Sequence, residues 1–219
     1  MASIGLKHPV FAPIKSYNTG AIPTYEGGTV VGKAVKADIT YTTIEGVLYA
    51  DDAIAEYDRK IQGVDISFEV DDMADMVKKT VFGYRLSTGS GYSSGLIMGA
   101  NDETVHGGFG YYKTKVVNGT KLYTARWFYD TVFAETGETN ETKGENINFQ
   151  TTSVEGKALP VIGCGHDDFY ETATFSDESA AVSWLHSKAG ISDASAASVM
   201  SVEAPKSATT TTSTSGSKS

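Results

Sequence analysis

VDISFEVDDMADMVKKTVFG, residues 64–83, decides how the rest of the chain is read. In its first half Val64, Ile66, Phe68 and Val70 alternate with Asp65, Ser67 and Glu69, a period of two that makes a strand with one buried face. The period then changes. Met73, Met76, Val77 and Val81 fall along one helical stripe, and Asp71 or Asp72 stands where a side chain caps free helical N–H groups. Lys78 and Lys79 occupy the last turns, where cations suit the dipole, and Gly83 is a good closing residue. A strand therefore runs straight into a short amphipathic helix. Nearly everything else reads as strand and turn, so the stripe is expected to lie on a sheet.

Upstream, Val35, Ala37, Ile39 and Tyr41 alternate with Lys36, Asp38, Thr40 and Thr42. Residues 46–50 are extended and end at Asp51-Asp52. Residues 53–61 then mix Ile54, Tyr57 and Ile61 with Glu56, Asp58, Arg59 and Lys60. Because Gly63 leads directly back into the Val64 strand, this segment reads as a long, exposed, charged hairpin arm. Downstream, residues 111–117 and 121–133 flank Asn118-Gly119-Thr120, which predicts a hairpin. Its second strand has an apolar face of Tyr123, Ala125, Trp127, Tyr129 and Phe133. The opposite face, Leu122, Thr124, Arg126, Phe128, Asp130 and Val132, is mixed, as in a subunit contact or a half-covered sheet. A polar loop (136–145) and a last core strand (147–152) follow. Residues 169–175 are read as extended. Ser176-Asp177 then starts a helix that packs Ala181, Val182, Trp184 and Leu185 and closes at Gly190. From residue 192 the Ala, Ser, Thr and Lys composition cannot bury a core.

Across 219 residues, 40% hydrophobic and 11% aromatic content suffice for a sizeable core. The net charge of −9 argues against the wide basic footprint that DNA or anionic lipid requires. A single cysteine, Cys164, rules out an intrachain disulfide and suits a reducing cytosol. No apolar run approaches the ~20 residues of a membrane span, and the Pro9- and Pro13-containing start has no signal-peptide core, so no membrane anchor is expected.

Chemistry-bearing patterns are sparse. Gly91-Tyr92-Ser93-Ser94-Gly95 matches the nucleophile-elbow spacing, but Ser93 sits in a Gly/Ser loop rather than a strand-to-helix turn. Cys164, His166, Asp167 and Asp168 are metal-capable, yet a zinc site takes two spaced ligand pairs and no second pair exists. No glycine cluster carries a phosphate-loop Lys-Ser/Thr, and the acidic pairs are explained by capping and solvation. No catalytic residue, cofactor or metal site is expected.

Three stretches in order carry a family resemblance: VLYADDAIAEYDRKIQG, ISFEVDDMADMVKKTVFG and YTARWFYDTVFAETGETNETKGENINFQTTSVEG. Together they resemble the major tail proteins, or tail-tube proteins, of phages and prophages with long non-contractile tails, mostly of Gram-positive hosts. The resemblance covers about residues 3–156 and lies in the order and spacing of the stretches. It implies a mainly β fold: a tail-tube β-sandwich or half-barrel (1–156) with one flanking helix, joined here to a small C-terminal α/β extension (157–191) and a Ser/Thr-rich tail (192–219). Such subunits form hexameric rings that stack into a virion tube, assembled in the host cytoplasm, through which double-stranded DNA passes unbound. Tape-measure, tail-terminator and baseplate proteins are the implied partners. In that frame, assembly contacts are expected at Asp51, Asp52, Ile54, Tyr57, Arg59 and Ile61 of the arm, at Phe11 of the N-terminal segment and at Phe128 of the mixed face. Asp65 and Glu69 are the first candidates for a negative lumen lining, since the alternation sets both on the non-core face. Two other classes compete: a monomeric carbohydrate- or host-binding β-sandwich, suggested by twelve tyrosines and two tryptophans, and a serine hydrolase using Ser93.

Overall fold

The computed structural model describes residues 2–87, 89, 95–136 and 151–191. Ser93, most of the polar loop, Ile147 and the Ser/Thr tail lie outside the described residues. The order is β1 (Ala2–Ser16), β2 (Thr24–Tyr25), β3 (Thr29–Val30), β4 (Ala34–Ala50), β5 (Ala53–Val70), α1 (Asp75–Phe82), β6 (Arg85–Ser87), β7 (Gly95–Ile97), β8 (His106–Val117), β9 (Thr120–Glu135), β10 (Thr152–Leu159), β11 (Tyr170–Phe175) and α2 (Glu178–Ala189). The protein is mainly β, built on one large antiparallel sheet with the path β2-β1-β8-β9-β10-β5-β4. β3 pairs with β1, and β11 joins β9 over residues 123–128, beyond the part of β9 that β10 covers. Asn118 and Gly119, both at positive φ, close the β8–β9 hairpin as a two-residue turn.

The sheet curls. β5 and β8 are three places apart on its path, about 14 Å in a flat sheet. Yet the Phe68 and Phe109 rings stack with centroids 4.9 Å apart. β4, at one end of the path, also reaches back to β1. Inside the curl Phe11, Val64, Ile66, Phe68, Val70, Phe109, Phe128, Phe133 and Val154 form one core. The alternation read from residues 64–70 is as expected, with Val64, Ile66, Phe68 and Val70 buried and Asp65, Ser67 and Glu69 half-exposed. On β4 a bulge between Ala34 and Lys36 turns Val35 out to solvent, while Ala37 and Ile39 pack on the core.

α1 packs against this core through Val77, Val81 and Phe82, with Met73 buried just before it. Met76, expected in the same stripe, is 61% exposed. The helix starts at Asp75 and Phe82 joins its buried side; at about 100° per residue that centre leaves Met76 nearly opposite. Neither Asp71 nor Asp72 caps α1, whose N-cap is Ala74 without a side-chain bond. Asp71 Oδ1 instead accepts from the Lys33 and Asp72 N–H groups, and Asp72 Oδ1 from Met73 N–H, because both lie too far upstream and close the strand-to-helix turn instead. Gly83 does end the helix in the left-handed region, donating its N–H to Lys79 O.

The outer face of the sheet carries a second cluster. Val10, Ala12, Tyr112, Ala125, Trp127 and Tyr129 pack beneath Ala181, Leu185 and Ala189 of α2. Asp177 caps α2, its carboxylate accepting from Ala180 N–H, and Gly190 closes it at positive φ. The expected boundary at residue 156 is corrected here. Gly156 sits inside β10, paired on both sides, and β11 and α2 belong to the same sheet and its outer layer. The extension is part of the fold because α2 covers the apolar outer face of β9.

Candidate assembly surface

The two-residue turn Asp51-Asp52 has φ of 51° and 61°, the left-handed pair that a tight hairpin demands and that aspartate tolerates. From it β4 and β5 run back antiparallel, Ala50 opposite Ala53 through Thr43 opposite Ile61. A bulge follows, so that Thr42 meets Gly63 and Thr43 meets Ile61 with Gln62 extra. β-Bulges bend the strand that carries them, and here the bend falls where the arm leaves the sheet. β10 ends at the Ala158–Val64 pair, so among the described residues β5 has no strand on that side over residues 53–63. β4 is the end of the sheet path.

Both faces of the arm are open. One carries Val47, Tyr49, Ile54, Tyr57 and Ile61, all exposed, with Tyr49 at 68%. The other carries Ile44 and Leu48 beside Glu56, Asp58 and Lys60. Arg59 Nε lies 3.4 Å from Glu45 Oε1 and its Nη2 donates to Thr43 Oγ1, which ties this cation into the arm. Of the expected contact residues, the structure thus brings Asp51, Asp52, Ile54, Tyr57, Arg59 and Ile61 together on one projecting hairpin. At its base a cleft of about 490 Å³ opens between Lys60, Ile61 and Gln62 and the loop entering β11 at Phe169 and Tyr170.

Phe11 and Phe128 require correction: both are 0% exposed. β1 is an interior strand between β8 and β3, so Phe11 points into the core, 6.0 Å from Phe133. On β9 a register shift between the Gly107–Thr131 and Phe109–Phe128 pairs changes which residues share a face. Phe128 and Phe133 therefore turn to the same inner core, while Tyr123, Ala125 and Trp127 face α2. The mixed face is thus interior at Phe128, and a strict period of two misses the shift.

Asp65 and Glu69 lie on the outer face of β5, as the alternation requires. Asp65 is not a lone charge: Lys157 Nζ stands 3.5 Å from its Oδ1, and Thr42 Oγ1 donates to its Oδ2 at 2.8 Å. Glu69 sits between Lys36 on β4 and Ser153 on β10, with Asp38 and Glu155 on the same face.

His106 Nδ1 and Asp130 Oδ1 are 2.8 Å apart at the start of β8, and Ser93, read as a candidate nucleophile, lies outside the described residues. Asp167 Oδ1 accepts from Gly163 N–H inside the 164–168 turn, and among the described residues no His, Cys, Asp and Glu group is arranged to hold a metal. No described helix is long and apolar enough to cross a membrane. No known family model matches the chain, and no curated protein matches it either.

Proposed function

We propose that the chain is a structural subunit that assembles with copies of itself into a tube, in the manner of the phage tail-tube proteins it resembles. The observation that carries this reading is the arm, a hairpin that exposes apolar side chains on both faces and whose outer edges pair with no strand among the described residues. Exposed edges and apolar patches of this length are an aggregation liability in a monomer, and pairing with another copy relieves both at once. In this reading the subunits form six-fold rings around a bore, the rings stack into the conduit for double-stranded DNA, and the fold is a half-barrel of tail-tube type within a virion. The charge of −9 supports it, because a carboxylate-rich lining repels a polyanion instead of binding it.

Negative-stain microscopy with sedimentation velocity on the purified protein is the deciding experiment. Tubes or rings forming above a threshold concentration are the expected result. A chain that stays monomeric when concentrated overturns the reading in favour of a binding module.

A further inference from the structure

On the inner face beyond Phe128 the lining of the curl changes from aromatic to basic. Lys113 and Lys115 are two apart on β8 and share a face, and Arg126 of β9, opposite Tyr111, lies diagonal to Lys113. All three are half-buried, and none forms an ion pair among the described residues. The Arg126 guanidinium lies 4.6 Å from the centre of the Tyr170 ring, whose hydroxyl is 3.1 Å from that of Tyr41. Burial, then the charges of Arg126 and Lys115, hold the Lys113 ammonium below the usual lysine range. Mutually repelling, half-desolvated cations in a chain of net charge −9 make a site that a carboxylate or other anion would complement.

The tip of the arm has the opposite imbalance. Inside the arm Arg59 pairs with Glu45 and Lys60 with Asp58, so both its cations are engaged. Asp51 and Asp52 have no ion pair among the described residues, and the tight turn sets the two residues next to each other at the tip. Nine residues of strand carry that turn about 30 Å from the bulge at Gln62.

We propose that Lys113, Lys115 and Arg126 form a receptor for the Asp51-Asp52 turn of a second copy of this chain. The joint rests on the self-assembly reading and adds to it the residues on either side of the contact. A tight pair of carboxylates suits a small basic cluster flanked by Tyr41 and Tyr170. A nucleic acid backbone requires a continuous basic track, whereas on the outer face of β4, β5 and β10 Lys36 and Lys157 are engaged by Asp38 and Asp65, with Glu69 and Glu155 beside them.

The test combines charge reversal with zero-length carbodiimide cross-linking of the full chain. Lys113→Glu with Lys115→Glu, or Asp51→Lys with Asp52→Lys, is expected to raise the assembly threshold at least about tenfold. All four changes together are expected to restore it to within about threefold. In a mixture of isotopically light and heavy wild-type chains, cross-links from Asp51 or Asp52 to Lys113 or Lys115 are expected between chains of different label. That measurement needs no variant, so it stands even where a reversed chain fails to fold. If wild type assembles while these cross-links are absent or the reversals are silent in folded protein, the joint is overturned and self-assembly survives. If wild type never assembles, both fall. Protection of the two lysines from acetylation by a duplex oligonucleotide, without the cross-links, assigns the cluster to phosphate and overturns the joint as well.

Discussion

At the scale of single residues, close approach and a buried titratable group set the sharpest expectations. Gly108 packs so tightly that an added Cβ meets Trp127 Cζ2 at 2.2 Å, and on both sides of it Gly107 and Gly110 face comparable contacts. Gly108→Ala is expected to destabilise the fold by about 1–3 kcal/mol through overpacking, read as a lower denaturant midpoint; an unchanged midpoint refutes it. Val77→Ala is expected to cost about 1–3 kcal/mol, whereas Met76→Ala on the exposed side of α1 stays within about 0.5 kcal/mol. His8 stands against His186, their Nε2 atoms 2.8 Å apart, and burial first and that neighbour second hold His8 down to about 4 from 6.5. Between those values the unfolded chain binds a proton that the folded chain refuses, so stability falls as pH drops from 6.5 towards 4 and levels off below. The loss is on the order of 2 kcal/mol once the remaining solvent contact of the ring is allowed for. Urea melts at pH 7 and 4.5 check it, because His8→Gln removes this component while the carboxylate titrations common to both proteins cancel.

At the scale of elements, the arm is separable from the core. Its residues contribute nothing to either buried cluster, and the bulge at Gln62 marks where it departs. Deleting residues 53–59 is therefore expected to leave a folded chain with a near-native melting temperature that no longer forms tubes. Tubes of normal length from the deleted chain refute the arm as connector, and loss of folding refutes its independence. α2 behaves in the opposite way. Leu185 and Ala181 cover Trp127, so truncating the chain before Glu178 exposes the outer cluster and is expected to aggregate rather than to yield a smaller domain.

At the scale of the whole molecule, the acidic outer face bears on what a tube lumen would do. Asp65 is offset by Lys157 and Asp38 by Lys36, so Glu69 and Glu155 carry most of the local negative charge. Asp65→Lys with Glu69→Lys is expected to leave assembly intact while making tubes retain duplex DNA at low salt, an effect that fades as salt rises. A filtration or co-sedimentation assay reads this directly. Equal DNA retention by wild-type and variant tubes places these residues away from the bore.

What the sequence determined was local. The period of two in residues 64–70, the Asn118-Gly119 turn, the Asp51-Asp52 turn with its arm, and the Asp177 to Gly190 helix all follow from side-chain alternation, turn chemistry and caps acting within a few residues. Only the tertiary structure decided which faces stay wet. The register shift in β9 sent Phe128 into the core, the interior position of β1 did the same for Phe11, and Phe82 rotated the packed side of α1 away from Met76. Glycines 107, 108 and 110 are strand positions where a side chain has no room, a constraint set by Phe11 and Trp127 from other strands. The same holds for the gathering of Lys113, Lys115 and Arg126, because strand pairing and curl set neighbours across the sheet, and neither is written in the spacing of one strand.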